Sequence, residues 1–343
     1  MSETAALVPP SITPSPVVVE LIGVGSPLVD LVVAVEDGFL AKHVEGAKGG
    51  MQLVTTDTIN AILKSGKVKP LRSAGGAASN TTVGAANLGI PSAFIGSCGT
   101  DDFADFYQQA LSEQGCQPRL VRHQELPTGR VLSLVTPDAE RTMRTCLGAA
   151  AALDPAYFTP EVFSGARLVM LEGYTLFNVE LTRAISRAAK EAGCKLALDL
   201  ASFEVVEANR AVLRELLDGF VDLVFANQDE AKAWNAGGAE AALADLARQV
   251  PIAVVKLGKD GALISGHGKP TVHVQAELVE AIDTTGAGDC WAAGFLAGYL
   301  RDLPLDQCGR LGALAGAAVV QVAGAQVPRE QWLGIKGYLD AWA

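Results

Sequence analysis

Two carboxylates bracket a glycine-rich stretch late in the chain, Asp283-Thr-Thr-Gly-Ala-Gly-Asp289, and a small-residue, apolar run of helical pattern follows to Leu300. Gly286 and Gly288 let the backbone turn tightly and approach a ligand closely. The amides of Gly286, Ala287 and Gly288 then stand at the start of the helix. Unpaired N–H groups and the positive end of the helix dipole favour an anion there. A phosphoryl group in transfer is the natural guest. Asp289 falls in the first helical turn beside that charge, where a carboxylate can accept the proton of an attacking hydroxyl. The same residues would also suit an ordinary helix start whose acidic residue merely complements the dipole.

Other segments carry compatible chemistry. Ser73-Ala-Gly75-Gly76-Ala-Ala-Ser-Asn80 sets an asparagine, able to donate and to accept, one helical turn beyond a glycine pair that lets a flat ring reach the backbone. A Gly/Ala-rich helix start would read the same way. Gly23-Val-Gly25-Ser26-Pro27-Leu28 has half of a dinucleotide fingerprint. Leu28 stands where the third glycine belongs and Pro27 disturbs the phosphate turn, so dinucleotide binding is set aside. Asp30 could accept two hydrogen bonds, or be a solvated strand end. No G-x-x-x-x-G-K-[ST] string occurs, which disfavours a P-loop enzyme. Asn227-Gln-Asp-Glu230 offers oxygen donors that suit magnesium, often through water, and Asn227 equally suits a helix cap. Lys256-Leu-Gly258-Lys-Asp-Gly261 reads as a glycine turn.

Together these segments resemble the ribokinase-like (PfkB) kinases. Residues 283–289 resemble the D-T-x-G-A-G-D signature, residues 75–80 the amino-terminal G-G-x-x-x-N motif, and residues 227–230 the N-x-x-E motif. The resemblance covers about residues 20–327. Residues 135–148, Glu172-Gly-Tyr174 and Met51-Gln-Leu53 look most like bacterial adenosine-kinase-like members. The resemblance implies transfer of the ATP γ-phosphoryl to a primary hydroxyl of a ribonucleoside, with adenosine as the preferred acceptor. A sugar kinase acting on ribose, fructose or a relative is the alternative. Asp289 is then the base, and Gly286, Ala287 and Gly288 form the anion hole. The acceptor falls to Ser26, Asp30, Gly75, Gly76, Asn80, Arg141 and Glu172. ATP falls to Asn227, Lys256, Gly258, Gly261, Gly324 and Ala325. Glu230 would hold Mg2+ through water, and Asp283 a monovalent cation, K+. Arg141 or Arg144 could approach the phosphates, since guanidinium suits their geometry, or could be a solvated lid arginine. Asp199-Leu-Ala-Ser-Phe203 departs from the nucleotide-side sequence of well-known adenosine kinases. No aromatic pair for stacking a purine is legible, and Phe39, Tyr174 and Phe177 are the candidates.

The elements that must position these residues follow from periodicity. Strands are expected at 17–24, 30–35, 93–97, 130–135, 167–171, 195–200, 221–226 and 252–257. Helices are expected at 56–64, 101–114, 179–192, 208–217, 229–234 and 240–249. That alternation predicts an α/β fold with a mostly parallel central sheet, whose ligands lie beyond the carboxyl ends of the strands. With the resemblance it becomes a three-layer α/β/α sandwich with a small β lid, drawn from about 30–56 and 120–148. Residues 1–16, rich in Ser, Thr and Pro, read as a flexible tail, and 17–343 as one domain.

Composition limits the remaining choices. The 343 residues are 49% hydrophobic and 19% charged, with a formal net charge of −11. That supports a sizeable core and argues against a nucleic-acid partner. No run reaches the length of a membrane span, and no signal peptide is legible. The six cysteines form no C-x-x-C pair and the four histidines no H-E-x-x-H motif, so a cytoplasmic enzyme without a zinc site is expected. Either a monomer or a homodimer is compatible.

Overall fold

In the described residues, short apolar runs bounded by glycine and proline become strands: β1 (Leu21–Val24), β2 (Leu28–Ala34), β3 (Met51–Leu53), β4 (Leu71–Gly75), β5 (Ser92–Cys98), β6 (Cys116–Arg122), β7 (Gly129–Val135), β8 (Arg141–Cys146), β9 (Leu168–Glu172), β10 (Lys195–Asp199), β11 (Leu223–Asn227), β12 (Ile252–Lys256), β13 (Ala262–Gly266) and β14 (Val272–Val274). The structure, a computed structural model, describes residues 18–67, 69–138, 140–266 and 268–343. The expected tail 1–16, and Val17 at the start of the first expected strand, lie outside them.

Nine strands form the main sheet, in the order β14-β13-β12-β11-β10-β9-β1-β5-β6. All neighbours from β12 to β6 run parallel, and β13 and β14 continue the sheet antiparallel. Successive side chains alternate between its two faces. Ile22, Val24, Leu196, Leu198 and Val224 join one buried cluster with the helices Val179–Glu191, Phe203–Gly219 and Ala239–Leu246. Leu21, Met170, Ala197, Phe225 and Val254 face the opposite cluster with the helices Ala287–Leu300, Leu305–Val320 and Arg329–Trp342. The α/β/α layering follows from apolar residues on both faces of each central strand. Each fully buried Leu, Ile, Val or Phe contributes about 1.5–3 kcal/mol to this arrangement. Trp291 and Phe295 stack at 5.5 Å, with Phe225 edge-on to Phe295, and seat the helix that begins at the glycine-rich loop.

A second sheet of five strands, in the order β3-β8-β7-β2-β4, packs over the carboxyl end of this body through Val29, Leu31, Ile59, Phe94 and Tyr107. It draws on β4, outside the segments expected for the lid, whereas 120–122 belong to β6 in the main sheet. β6 was not expected as a strand because Pro118 interrupts it. The sheet tolerates that proline because β6 lies at an edge. The helix expected at 208–217 starts earlier, at Phe203, because the Ser202 hydroxyl accepts from the Val205 amide and caps it. Strand order reverses at β1, with β9 on one side and β5 on the other, so the crevice beyond its carboxyl end is the place for a ligand. Among the described residues, no helix is long and apolar enough to cross a membrane.

Candidate active site

The glycine-rich loop ends as the sequence suggests. Gly286 is the N-cap of the helix Ala287–Leu300 and has a φ of 74°, the left-handed region that favours glycine. A Cβ there would stand 2.7 Å from the Cβ of Ala325, so space and conformation both require glycine. The amides of Gly286, Gly288 and Asp289 have no protein acceptor among the described residues, which leaves them free for an anion. The Ala287 amide differs from expectation. It donates to the Thr284 carbonyl at 3.2 Å and closes the turn instead of joining the free set.

Asp289 sits half-buried in the first turn, at the floor of a cleft of about 630 Å³. Its Oδ2 accepts from Asn80 Nδ2 at 2.9 Å, and its carbonyl accepts from the Thr81 hydroxyl at 3.1 Å. Burial pushes its carboxyl up to about 7, against the Asn80 hydrogen bond and Lys256, which favour the charged form. A carboxylate that titrates near neutrality is matched to proton acceptance.

Asn80 comes from the helix Ala77–Asn87, whose N-cap, Gly76, has a φ of 102°. A Cβ on Gly76 would collide with the Ser26 carbonyl, and one on Gly75 with the Asp30 carboxylate. These two glycines therefore let β2, β4 and the helix meet. Asp30, partly exposed on β2, is pushed up to about 6 by burial, which the Arg141 charge partly offsets. Ser26 and Glu172 do something other than face an acceptor. Glu172 is 1% exposed, and its carboxylate accepts from the Ser26 amide at 2.8 Å and the Ala78 amide at 3.0 Å. Burial raises its pKa. It fills the crevice between β1 and β9 and pins the two backbones that carry Asp30 and Asn80.

Across the cleft, the ends of β10, β11 and β12 bring Asp199, Asn227 and Lys256 together. Lys256 Nζ pairs with Asp199 Oδ2 at 2.8 Å, with both side chains about nine-tenths buried, and lies 3.5 Å from the Gly288 carbonyl. Burial opposes the lysine charge, but Asp199 and Glu230 outweigh it and hold its pKa above the usual value. Asn227 and Glu230 form a reciprocal capping box. Burial and neighbouring Asp199 push the Glu230 carboxyl up. Both Glu230 oxygens already accept from Asn227, at 2.8 and 2.6 Å. They fit magnesium through a water molecule, not by direct ligation.

Gly258 and Gly261 line this cleft. Gly324 and Ala325 are not among its lining residues. The Gly324 amide donates to Asp283, and Ala325 backs Gly286. Sequence reasoning missed Asp199 as a site residue, and also the apolar slot formed by Leu278, Val279, Ala313, Gly316, Ala317 and Val320. An acidic residue ending a strand beside Asn227 and Lys256 was the available signal for the first. The spacing of small residues at 313, 316 and 317, one helical face, was the signal for the second.

Arg141, expected to approach acceptor and phosphates, reaches the glycine-rich loop. It donates to the Thr285 hydroxyl at 2.8 Å and pairs with the Asp283 carboxylate. Asp283 also accepts from the Thr285 amide at 3.0 Å, the Thr285 hydroxyl at 2.8 Å and the Gly324 amide at 2.6 Å. Burial opposes its charge, but these donors and Arg141 outweigh it and hold its pKa below the usual range. A carboxylate so engaged does not fit the expected monovalent cation. Arg144, the other lid arginine, donates to the backbone carbonyls of Met143, Gly50 and Glu45.

The sequence profile described as "pfkB family carbohydrate kinase" matches residues 63–332. The chain belongs to that family. A probable sugar kinase from Rhizobium etli CFN 42 is 31% identical, with a TM-score of 0.84 over 94% of this chain and 98% of that one. The adenosine kinase from Sinorhizobium meliloti is also 31% identical, with a TM-score of 0.83 over 93% of this chain and 99% of that one. The ribokinase of Haemophilus influenzae is 28% identical over 75% of this chain and 85% of its own length. As a PfkB kinase the protein is a phosphotransferase with an alcohol acceptor and ATP as co-substrate. Its fold is the ribokinase-like α/β arrangement.

Proposed function

We propose that the protein transfers the γ-phosphoryl of ATP to the primary hydroxyl of a ribonucleoside, with adenosine as its preferred acceptor. The observation that carries this reading is the half-buried Asp289 carboxylate beside three free amides at a helix start. In this reaction Asp289 takes the hydroxyl proton, the oxygen attacks the γ-phosphorus, and the bond from that phosphorus to the β–γ bridging oxygen breaks. The amides of Gly286, Gly288 and Asp289 stabilise the charge on the transferring group. Asp30 accepts from the ribose diol, which Gly75 and Gly76 let approach the backbone. The adenine of ATP occupies the slot between Leu278 and Ala317, near the turn at Gly258 and Gly261. Asn227 and Glu230 would hold magnesium through water, and the ion would supply positive charge that offsets the phosphates.

The string at 135–148 and the 31% identity to an adenosine kinase support the nucleoside reading. A sugar acceptor is the second reading. The same identity to a probable sugar kinase favours it. So does the pairing of the candidate aromatics: Tyr174 stacks on Phe177 at 6.1 Å and Phe39 lies tilted against His43 at 4.8 Å, so neither contact pair is open to bracket a purine. An acceptor panel with ATP separates the two. The nucleoside reading expects adenosine to be phosphorylated with a kcat/KM well above those of ribose and fructose. Turnover of a sugar with none of adenosine rejects it.

A further inference from the structure

We propose that Arg141 takes the place of a monovalent cation at Asp283 and so couples the second sheet to the anion cradle. Arg141 opens β8, paired with Val135 of β7 in the sheet that covers the site. Its partners lie 142 and 144 residues along the chain, in the loop that leads into Gly286. The side chains of Arg141 and Asp283 are 23% and 10% exposed, so water screens the pair little. The guanidinium brings the one positive charge that a potassium ion would bring. It also occupies, with Thr285 and Gly324, the lone pairs a cation would need. A cation beside it would meet like-charge repulsion.

The source of the charge differs in consequence. A free ion stays with the loop whatever the covering sheet does. A guanidinium on β8 leaves when that sheet lifts, and Asp283 and Thr285 then lose the donors that order the loop. The same guanidinium lowers the pKa of Asp30, on β2 of the same five-stranded sheet, by its charge. Arg141 is thus a positioning residue: it completes the cradle only while the sheet carrying Asp30 lies over the acceptor.

The inference rests on the phosphotransfer reading of the cradle, and the test separates the two. Wild-type turnover and melting temperature are measured in potassium, sodium and choline chloride at matched ionic strength, on whichever acceptor turns over. Equal rates in all three salts are expected. Several-fold stimulation by potassium overturns the proposal. Arg141→Ala is expected to lower kcat/KM in choline by about 10- to 100-fold, the range for a charge-assisted hydrogen bond. Potassium, but not choline, should then restore part of the rate and raise the variant's melting temperature, because the freed carboxylate can take the ion. A natively stable Arg141→Ala that keeps full activity, or that loses it with no response to potassium in rate or melting, overturns the proposal. Should that variant not fold, Arg141→Gln and the wild-type salt series decide. The melting measurement needs no turnover, so a wrong acceptor does not imitate a wrong latch.

Discussion

The titration of Asp289 makes the most direct demand on the proposed chemistry. Only the deprotonated carboxylate can take the acceptor's proton, and burial places its pKa at about 7. Activity should therefore fall as pH drops through neutrality. About half the sites are competent at pH 7 and about a tenth at pH 6. An unperturbed aspartate, near 3.8, would be fully competent at both. Asn80 donates to this carboxylate at 2.9 Å and favours its charged form. Removing a hydrogen bond to a charged group costs about 1.5–3 kcal/mol, which converts to a further rise of about 1–2 pK units. In Asn80→Ala the acid limb should move to about pH 8–9. The assay is kcat/KM for the acceptor against pH at saturating ATP and magnesium, which reports ionisations before the acceptor binds. The amplitude will drop as well, because the proposed acceptor site includes Asn80, but the limb position does not depend on amplitude. A limb belonging to the nucleotide would stay fixed in the variant. A wild-type limb near pH 4, or an unchanged limb in Asn80→Ala, refutes the assignment of Asp289 as the base.

Three further outcomes follow from the geometry. Asp289→Asn should abolish turnover yet raise the melting temperature at pH 8. The buried carboxyl has a raised folded pKa, so its stability contribution is fully present below about 4 and is lost as pH rises to about 7; the gain should shrink at pH 5 and vanish only near pH 3. Gly286→Ala should lower kcat by about 100-fold, as loss of an anion-hole donor does, because φ is 74° and the new methyl meets Ala325; steady-state kinetics with circular dichroism as a fold control checks this. Lys256→Met should destabilise the protein by about 3–5 kcal/mol in urea unfolding, since it strands the buried Asp199 charge. The double variant with Asp199→Leu should recover much of that loss, and equal destabilisation in both would contradict the pairing.

The amino-acid sequence alone determined what is encoded within a few residues. The glycines at 286 and 288, the acid at 289 and the helical run beyond them already specify free amides, a tight turn and a carboxylate in the first turn. The alternating pattern from 167 onwards likewise specifies a parallel sheet, because strand and helix periods are local. The edge strand β6 escaped because Pro118 breaks the local strand signal, while its tolerance depends on what lies beside it. Tertiary structure alone decided which charges meet. Asn80 reaches Asp289 across 209 residues, Arg141 reaches Asp283 across 142, and Lys256 reaches Asp199 across 57. Glu172 looked like an acceptor ligand by position, yet two backbone amides, of Ser26 between β1 and β2 and of Ala78 in the Ala77–Asn87 helix, claim it. The partner of a carboxylate is fixed by which strand ends become neighbours when both faces of the sheet are buried, and that order is a property of the whole packed chain.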